Sequence, residues 1–212
     1  MMISCTNTGK RFNRDWIFRN FSYEFISGGH YSITGPNGSG KSTLLQIVAG
    51  AVVLSEGKID YHTTKAGGPS GNKPLDPEQV YNCISIVAPY LDVIEEMTLT
   101  EFLEFHQIFK PLLPGLDVKA VISKISLQKA ANKQIRYYSS GMKQRVKLAQ
   151  AIFSDTPCLL LDEPCTNLDD TGIELYHQLI ADYCRDRLVI VSSNDKQEYD
   201  FCSKILNMLD YK

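Results

Sequence analysis

The sequence predicts an α/β protein whose central sheet is mostly parallel and is flanked by helices. Two mostly apolar runs, Cys158–Leu161 and Leu188–Ser192, have the length and composition of strands that are buried on both faces. A third short strand, His30–Thr34, is followed by a glycine-rich loop and by a helix that we expect to span 42–49 and to end at Gly50. Strands that alternate with helices in this way are typical of α/β folds.

Smaller elements are predicted around this core. Strand candidates around Ile3 and over residues 17–25 predict an N-terminal antiparallel β portion. Residues 65–77 are rich in Gly, Pro and Asn, which indicates an exposed loop.

Two helices are predicted in the middle of the chain. Thr98 and Glu101 match a capping box, which predicts a helix that continues to about residue 109, and a second helix is expected over 118–125. The apolar side chains of the first helix recur at helical spacing, which favours a core face over a docking surface: Phe102, Phe105, Ile108 and Phe109.

Composition excludes some classes of function. The chain has 212 residues, of which 43% are hydrophobic, and this is enough to bury a core. A net charge of −2 gives no sign of nucleic-acid binding, so we expect no nucleic-acid partner. The six cysteines include no C-x-x-C pair and indicate neither a metal site nor a disulfide framework. No run of 18 apolar residues occurs and the start, Ser4–Asn7, is polar, so we expect a cytoplasmic protein.

The loop after His30–Thr34 has the pattern G-x-x-x-x-G-K-S. We predict that its residues bind a nucleoside triphosphate: Gly35, Pro36, Asn37, Gly38, Ser39, Gly40, Lys41, Ser42 and Thr43. Because the loop lies between a strand and a helix N-terminus, its free N–H groups point at one place, and its glycines let phosphate oxygens approach. Lys41 is expected to act in catalysis at the β- and γ-phosphates, and the Ser42 hydroxyl to bind Mg²⁺. The alternative is a glycine-rich turn without a ligand.

A pair of carboxylates follows the strand Cys158–Leu161. Because the carboxyl ends of parallel strands meet at one edge of a sheet, Asp162 and Glu163 are expected to face the bound phosphates. Asp162 is predicted to hold Mg²⁺ through water, since this hard cation prefers oxygen ligands and keeps much of its hydration. Glu163 is the predicted catalytic residue that orients or deprotonates the attacking water. The alternative is a solvated Asp-Glu pair that opens a loop.

A third pattern, Tyr138–Arg145, lies between these two motifs. It resembles the signature motif of the ATP-binding cassette (ABC) ATPases, whose usual form is Leu-Ser-Gly-Gly-Gln. Ser139 and Gly141 match this form, whereas Ser140 and Met142 replace a glycine and a glutamine. Ser139 is expected to cap a helix whose exposed N-terminus suits an anion. The predicted inward face of this helix is Val146, Ala149, Ile152 and Phe153. An ordinary capped helix is the alternative for this motif alone.

The order of motifs resembles the ABC family over nearly the whole chain. The resemblance implies an ABC-type P-loop NTPase fold, with residues 1–212 as a single ATP-binding domain and a small helical subdomain at about 90–140. It also implies ATP and Mg²⁺ as cofactors. In the family, the residues that match Ser139 and Gly141 grip the γ-phosphate bound to a second ABC chain, so the resemblance implies a head-to-tail homodimer or heterodimer.

The resemblance assigns two further segments. Phe12 lies where family members have an aromatic residue that stacks on adenine, although Trp16 competes for this role and either residue can instead belong to the core. Thr166–Asp169 resembles the loop that contacts the opposite active site in the dimer.

The chain departs from the family at two positions. Family members have a glutamine after the strand that precedes the helical subdomain, but Ile84–Ala88 is followed by Pro89, and no glutamine lies between residues 80 and 106. After the last buried strand, Asn194 replaces a histidine that contacts the γ-phosphate. Asn donates a neutral hydrogen bond but cannot carry a proton, so we expect ATP binding with slow hydrolysis.

The resemblance implies a subunit that dimerises around ATP and drives a transmembrane permease. We therefore expect a protein that is peripheral on the inner face of the cell membrane, and the form of its signature motif resembles that of exporters. A soluble ABC clamp without transport and a regulatory module whose ATP is structural remain as alternatives.

Overall fold

A computed structural model describes residues 1–63 and 73–212 of the chain, which divides into two units. The first unit is built from the described residues of three stretches: Met1–Ile86, Pro157–Asp162 and Asp186–Lys212. The second unit is built from two stretches: Val87–Thr156 and Glu163–Arg185. Of the predicted loop 65–77, residues 65–72 lie outside the described part.

One sheet of the first unit is antiparallel. Its described strands are β1 (Met2–Phe12), β2 (Asp15–Ile26), β4 (Glu56–Thr63) and β5 (Lys73–Pro74), and their order is β2-β1-β4-β5. Strands β1 and β2 form a hairpin through Asn13, whose φ of 54° is a conformation that Asn adopts more readily than most residues. This sheet is the predicted N-terminal antiparallel portion, to which β4 and β5 are additions that the sequence did not predict.

The second sheet carries the predicted buried strands. Its described strands are β3 (His30–Thr34), β6 (Ile84–Val87), β7 (Cys158–Asp162), β8 (Leu188–Ser192) and β9 (Lys204–Asn207), in the order β6-β7-β8-β3-β9. Strand β8 pairs in parallel with β7 and with β3, and β3 pairs in parallel with β9. Ser192 lies opposite both Ile33 and Asp162, so the carboxyl ends of β3, β8 and β7 are level.

Helix α1 (Lys41–Val48) packs against β7 and β8. It ends where the sequence predicts, because Gly50 has a φ of 74°. The Tyr61 hydroxyl lies 3.2 Å from the carbonyl oxygens of Ile47 and Val48 in the last turn of the helix and donates to this pair. The core of the unit consists of buried apolar side chains from the sheets and α1, among them Phe18, Phe21, Phe25, Ile33, Leu44 and Leu160.

The second unit contains helices α2 (Leu99–Phe109), α3 (Val118–Lys124), α4 (Ser140–Ile152) and α5 (Asp170–Tyr183). The predicted capping box is present, since Thr98 and Glu101 bond reciprocally at the start of α2. Helix α5 begins at Asp170, where the Asp169 carboxylate caps it by accepting a hydrogen bond from Gly172 N at 2.9 Å. Short 3₁₀ helices complete the described part of the chain: Pro77–Asn82, Gln128–Ala130, Ile135–Tyr137, Lys196–Glu198 and Met208–Tyr211.

The apolar side chains of α2 divide between core and surface. Phe102 is buried, but Phe105, Ile108 and Phe109 are 41%, 75% and 65% exposed, so the predicted core face is wrong for these three residues. The prediction for α4 is confirmed, because its inward residues are fully buried: Val146, Ala149, Ile152 and Phe153. Within the described residues, every helix is too short or too polar to cross a bilayer.

Candidate nucleotide-binding site

The predicted phosphate loop connects β3 to α1, and its last three residues form the first turn of the helix. Gly35 has a φ of 139°, and a Cβ added there would lie 2.8 Å from Ser39 Oγ. Gly40, at the helix N-cap, has a φ of 104°, and an added Cβ would lie 2.7 Å from a methyl group of Ile17. Side chains at these two positions would therefore both strain the backbone and clash, which explains why the loop needs glycine there.

Lys41 lies folded into this loop. Its side chain is buried, and Nζ donates to Gly35 O at 2.7 Å and to Pro36 O at 3.4 Å. Pro36 O also accepts from Ser39 N at 3.0 Å, which closes the loop on itself. An ammonium group has three hydrogens, so one hydrogen of Lys41 remains for a phosphate oxygen.

Asn194 lies beyond the end of β8 and contacts the same loop. Its Oδ1 accepts from Gly35 N at 3.1 Å, and its Nδ2 donates to Asn37 Oδ1 at 3.5 Å. The sequence did not reveal this contact. The pairing of β8 with β3 was the missing information, because it brings the residues after both strands to one edge of the sheet.

Asp162 fits the role of a magnesium ligand. It ends β7, level with the end of β3 and one strand removed from it, which corresponds to about 10 Å between the chains. Its side chain is buried, and its Oδ1 has no hydrogen-bond partner among the described residues. The buried Ser39 Oγ is likewise without a partner in that part of the chain. Unpartnered buried oxygens at the edge that carries the phosphate loop suit a hydrated cation or a polar ligand.

Glu163 begins the second stretch of the second unit, directly after Asp162. Its side chain is exposed, and its φ of 46° is uncommon for a residue other than glycine. Such backbone strain persists where the surrounding structure imposes it, often at functional sites. The exposed carboxylate can therefore accept a hydrogen bond from a water molecule of the solvent.

The signature motif lies at a cavity of about 690 Å³ within the second unit. Ser139 is the N-cap of α4, and its Oγ accepts from Met142 N at 3.2 Å, as predicted. The lining includes the start of α4, residues 126–130 and two cationic side chains, Lys129 and Arg145. The helix N-terminus and the Lys129 ammonium suit an anionic ligand, whereas Arg145 is paired with Asp169, which also lines the cavity.

Two side chains of α4 hold the loop that follows the carboxylates. Buried Gln144 donates from Nε2 to Pro164 O at 2.6 Å, and Arg145 Nη2 lies 3.3 Å from Asp169 Oδ1. Hydrogen bonds from Gly172 N and from a neighbouring hydroxyl hold the pKa of Asp169 below its ordinary value. Sequence reasoning missed the role of Gln144, although a glutamine three residues after Gly141 and next to the buried face of α4 was a usable signal.

Pro89 lies just after β6, where the family has a glutamine. Its carbonyl oxygen accepts from Lys147 Nζ of α4 at 3.4 Å, and the same ammonium lies 3.9 Å from Asp92. One turn earlier on α4, Lys143 pairs with Glu95. The segment after β6 is thus tied to the signature helix by charged side chains.

The aromatic candidates for adenine stacking differ in their surroundings. The Arg19 and Arg11 guanidinium groups lie 4.1 Å and 5.6 Å from the Trp16 ring centroid. Phe12, at the end of β1, is 48% exposed and has the Lys10 ammonium 4.8 Å from its ring centroid. Phe12 is therefore not a core residue, and its exposure favours it over Trp16 for stacking.

The comparisons with known proteins agree with this geometry. A family model described as "ABC transporter" matches residues 18–166. The ABC transporter ATP-binding protein YybJ of Bacillus subtilis is 31% identical, over 98% of this chain and 92% of that protein. A lantibiotic transport ATP-binding protein, SrtF of Streptococcus pyogenes, is 27% identical over 91% of this chain and 80% of that protein. A cytochrome c biogenesis ATP-binding export protein, CcmA of Cupriavidus pinatubonensis, is 28% identical over 80% of this chain and 73% of that protein. The chain therefore belongs to the ABC transporter family, whose ATP-binding proteins are ATPases.

Solved structures confirm the predicted ABC-type P-loop fold. The dimeric structure of MJ0796, a bacterial ABC transporter cassette, superposes with a TM-score of 0.79 at 24% identity, over 97% of this chain and 93% of that one. An ATP-binding subunit of another ABC transporter gives a TM-score of 0.78 at 19% identity, over 98% and 85%. At these identities the likeness concerns the fold alone.

Proposed function

We propose that this chain is the nucleotide-binding subunit of a membrane transporter and that it closes head to tail with a second ABC chain around Mg·ATP. The observation that carries the proposal is the phosphate loop with Lys41 buried at its centre, level with the unpartnered carboxylate oxygen of Asp162. The signature helix supports the dimer, because Ser139 caps a helix that starts at a cavity of about 690 Å³, which Lys129 also lines.

Each site residue has a separate task in the proposed reaction. The loop amides of Gly35–Thr43 and the Lys41 ammonium bind the phosphates, and Phe12 stacks on adenine. Ser42 and Asp162 hold Mg²⁺, which when bound supplies positive charge to the phosphate oxygens. Glu163 orients and deprotonates the water whose oxygen bonds to the γ-phosphorus.

The facing chain supplies the remaining contacts in this proposal. The cap residue Ser139 and the N–H groups that follow it, with Gly141 among them, bind the γ-phosphate of the ATP held by the partner. Closure of the dimer therefore requires ATP rather than ADP.

The Glu163→Gln variant tests the dimer. Gln removes the base but keeps the size of the side chain, so we expect this variant to form a dimer with Mg·ATP that persists during gel filtration with light scattering. ADP and the Lys41→Ala variant serve as controls, and both should leave the protein monomeric. A nucleotide-dependent dimer, together with no membrane protein recovered from gently solubilised membranes, would favour a soluble clamp. Wild-type behaviour of Glu163→Gln in turnover and dimer lifetime would favour structural ATP.

We further propose that hydrolysis by this chain alone is slow. Loss of one preorganised transition-state donor costs about 10²–10³ in rate, and Pro89 and Asn194 replace two such groups of the family. We expect purified protein to hydrolyse Mg·ATP far below about 10 s⁻¹, the median for enzymes. Steady-state turnover near that median by a single chain species would contradict the proposal.

The exposed face of α2 is the proposed contact with a transmembrane subunit. Phe105 and Phe109 are edge to face with ring centroids 5.2 Å apart, and Ile108 is 75% exposed. Such a cluster of large apolar side chains on one helix is typical of an interaction surface. The names of the related lantibiotic transport and cytochrome c export proteins support a transporter as the partner.

Co-purification from gently solubilised membranes tests this contact. We expect the wild type to co-purify with a membrane protein. The double variant Phe105→Ser/Ile108→Ser should lose this membrane protein without a change in Mg·ATP affinity. Tyr81→Ser is the matched control, because Tyr81 is 65% exposed in the first unit. Equal recovery of the membrane protein with the α2 variant and with Tyr81→Ser would exclude α2 as the contact.

A further inference from the structure

Asn194 replaces a histidine that contacts the γ-phosphate in the family, but both ends of its amide are bound to the phosphate loop. Its Oδ1 accepts from Gly35 N at 3.1 Å and its Nδ2 donates to Asn37 Oδ1 at 3.5 Å. We propose that Asn194 is a positioning residue that holds the phosphate loop in its nucleotide-binding conformation, rather than a contact to the γ-phosphate. This inference rests on the proposed function.

A chain of hydrogen bonds connects Asn194 to Lys41. The Gly35 N–H is held by Asn194, and the Gly35 carbonyl accepts from Lys41 Nζ at 2.7 Å. Glycine places few steric restraints on its own dihedral angles, and Gly35 has a φ of 139°, which is a region that other residues avoid. Hydrogen bonds, rather than a side chain, therefore fix the two peptide groups of Gly35. Without the Asn194 amide, Gly35 is free to rotate and the carbonyl that orients Lys41 moves with it.

The register of the sheet explains why Asn194 reaches the loop. Ser192 lies opposite Ile33 in the parallel pair of β8 and β3, so the residues two positions further along each strand are neighbours beyond the sheet edge. Those residues are Asn194 and Gly35. The contact thus follows from the register of two paired strands and does not depend on the conformation of a long loop.

The two roles of Asn194 predict different nucleotide profiles. Lys41 reaches the β- and γ-phosphates, and ADP keeps the first of these, so a residue that positions Lys41 weakens the binding of both nucleotides. A residue that contacts the γ-phosphate affects ATP alone. Loss of one neutral hydrogen bond corresponds to about a fivefold change in a binding constant.

The experiment compares Asn194→Ala with wild type by calorimetry with Mg·ATP and with Mg·ADP. We expect both dissociation constants to rise, each by about fivefold. In kinetics we expect KM to rise similarly while kcat at saturating ATP stays within about twofold, because Asn194 does not itself contact the reacting atoms. Gln197→Ala is the matched control, since it removes an exposed amide from the same segment and should change neither affinity.

The possible results separate this inference from the proposed function. A loss confined to ATP, or a fall in kcat with unchanged ADP affinity, would overturn the positioning role in favour of a γ-phosphate contact. Unchanged affinity for both nucleotides would overturn it as well. If the wild type binds neither nucleotide, the proposed function itself fails. An unchanged melting temperature of nucleotide-free Asn194→Ala will show that the variant is folded, so weaker binding of both nucleotides then supports the inference.

Discussion

At the scale of single residues, Asp162 shows most directly how a site differs from a stable core. The residue is 2% exposed, and its Oδ1 lacks a hydrogen-bond partner in the described part of the chain. A buried polar atom without a partner costs about 1–3 kcal/mol, so folding alone gives no reason to place it there. A ligand that supplies the missing contact gives that reason.

Replacing Asp162 by Asn tests this interpretation. We expect the free energy of unfolding of the nucleotide-free variant to fall by no more than about 1 kcal/mol, or to rise, because the substitution removes a buried charge. We also expect the variant to lose the extra stability that Mg²⁺ adds in the presence of ATP. Thermal unfolding with ATP, with and without Mg²⁺, measures both effects. An unchanged response to Mg²⁺ would remove Asp162 from the metal site.

At the scale of elements, the N-terminus of α4 depends on one hydroxyl. Ser139 Oγ accepts from Met142 N at 3.2 Å, whereas the neighbouring Ser140 is the first helical residue. We expect Ser139→Ala to lower the free energy of unfolding by about 1 kcal/mol and Ser140→Ala to change it by less than half of that. Urea unfolding of the two variants gives the comparison, and equal losses would contradict the capping role.

The packing of α2 introduces a pH dependence. His106 Nε2 lies 2.9 Å from Ser154 Oγ, and burial lowers the pKa of His106 to about 4. An unfolded histidine has a pKa near 6.5, so between about pH 6.5 and pH 4 the unfolded chain binds more protons than the folded one. His106 therefore lowers stability progressively as the pH falls through this window.

The variant His106→Gln checks this effect, because Gln keeps a donor near Ser154 but does not titrate. We expect the difference in free energy of unfolding between variant and wild type to shift in favour of the variant as the pH falls from 6.5 to 4. Chemical unfolding at several pH values measures the shift. Parallel curves for the two proteins would mean that another group is responsible.

The sequence predicted correctly those elements that local chemistry specifies. Gly50, the Thr98–Glu101 capping box and the strand Leu188–Ser192 were all predicted, because chain geometry or a continuous apolar run specifies each. Helical spacing failed for Ile108 and its aromatic neighbours, since periodicity shows that side chains share a face but does not show what covers that face. The contact between Asn194 and Gly35 depends on strand order, which no local pattern encodes.

At the scale of the whole molecule, the chain crosses from the first unit to the second between Asp162 and Glu163. The proposed metal ligand and the proposed base are therefore neighbours in sequence but belong to different units. Nucleotide binding through Lys41 and its loop concerns the first unit, whereas the signature helix belongs to the second. Substitutions at Lys41 therefore test nucleotide binding, and substitutions in the signature helix test closure of the dimer.

Global stability should respond to nucleotide through Lys41. A ligand at about 100 times its dissociation constant raises the free energy of unfolding by about 2.7 kcal/mol, so we expect Mg·ATP to raise the melting temperature of the wild type. The Lys41→Ala variant should lose this increase while its nucleotide-free melting temperature stays close to that of the wild type. Calorimetry that shows the same increase for both proteins would argue against the phosphate loop as the binding site.

Trp16 is the only tryptophan in the sequence, and two guanidinium groups lie over its ring. Its position opposite Arg11, the neighbour of Phe12, places the single indole fluorophore beside the proposed adenine contact. Emission from this one residue therefore offers an intrinsic optical signal for nucleotide arrival, and titrations need neither a dye nor an added label.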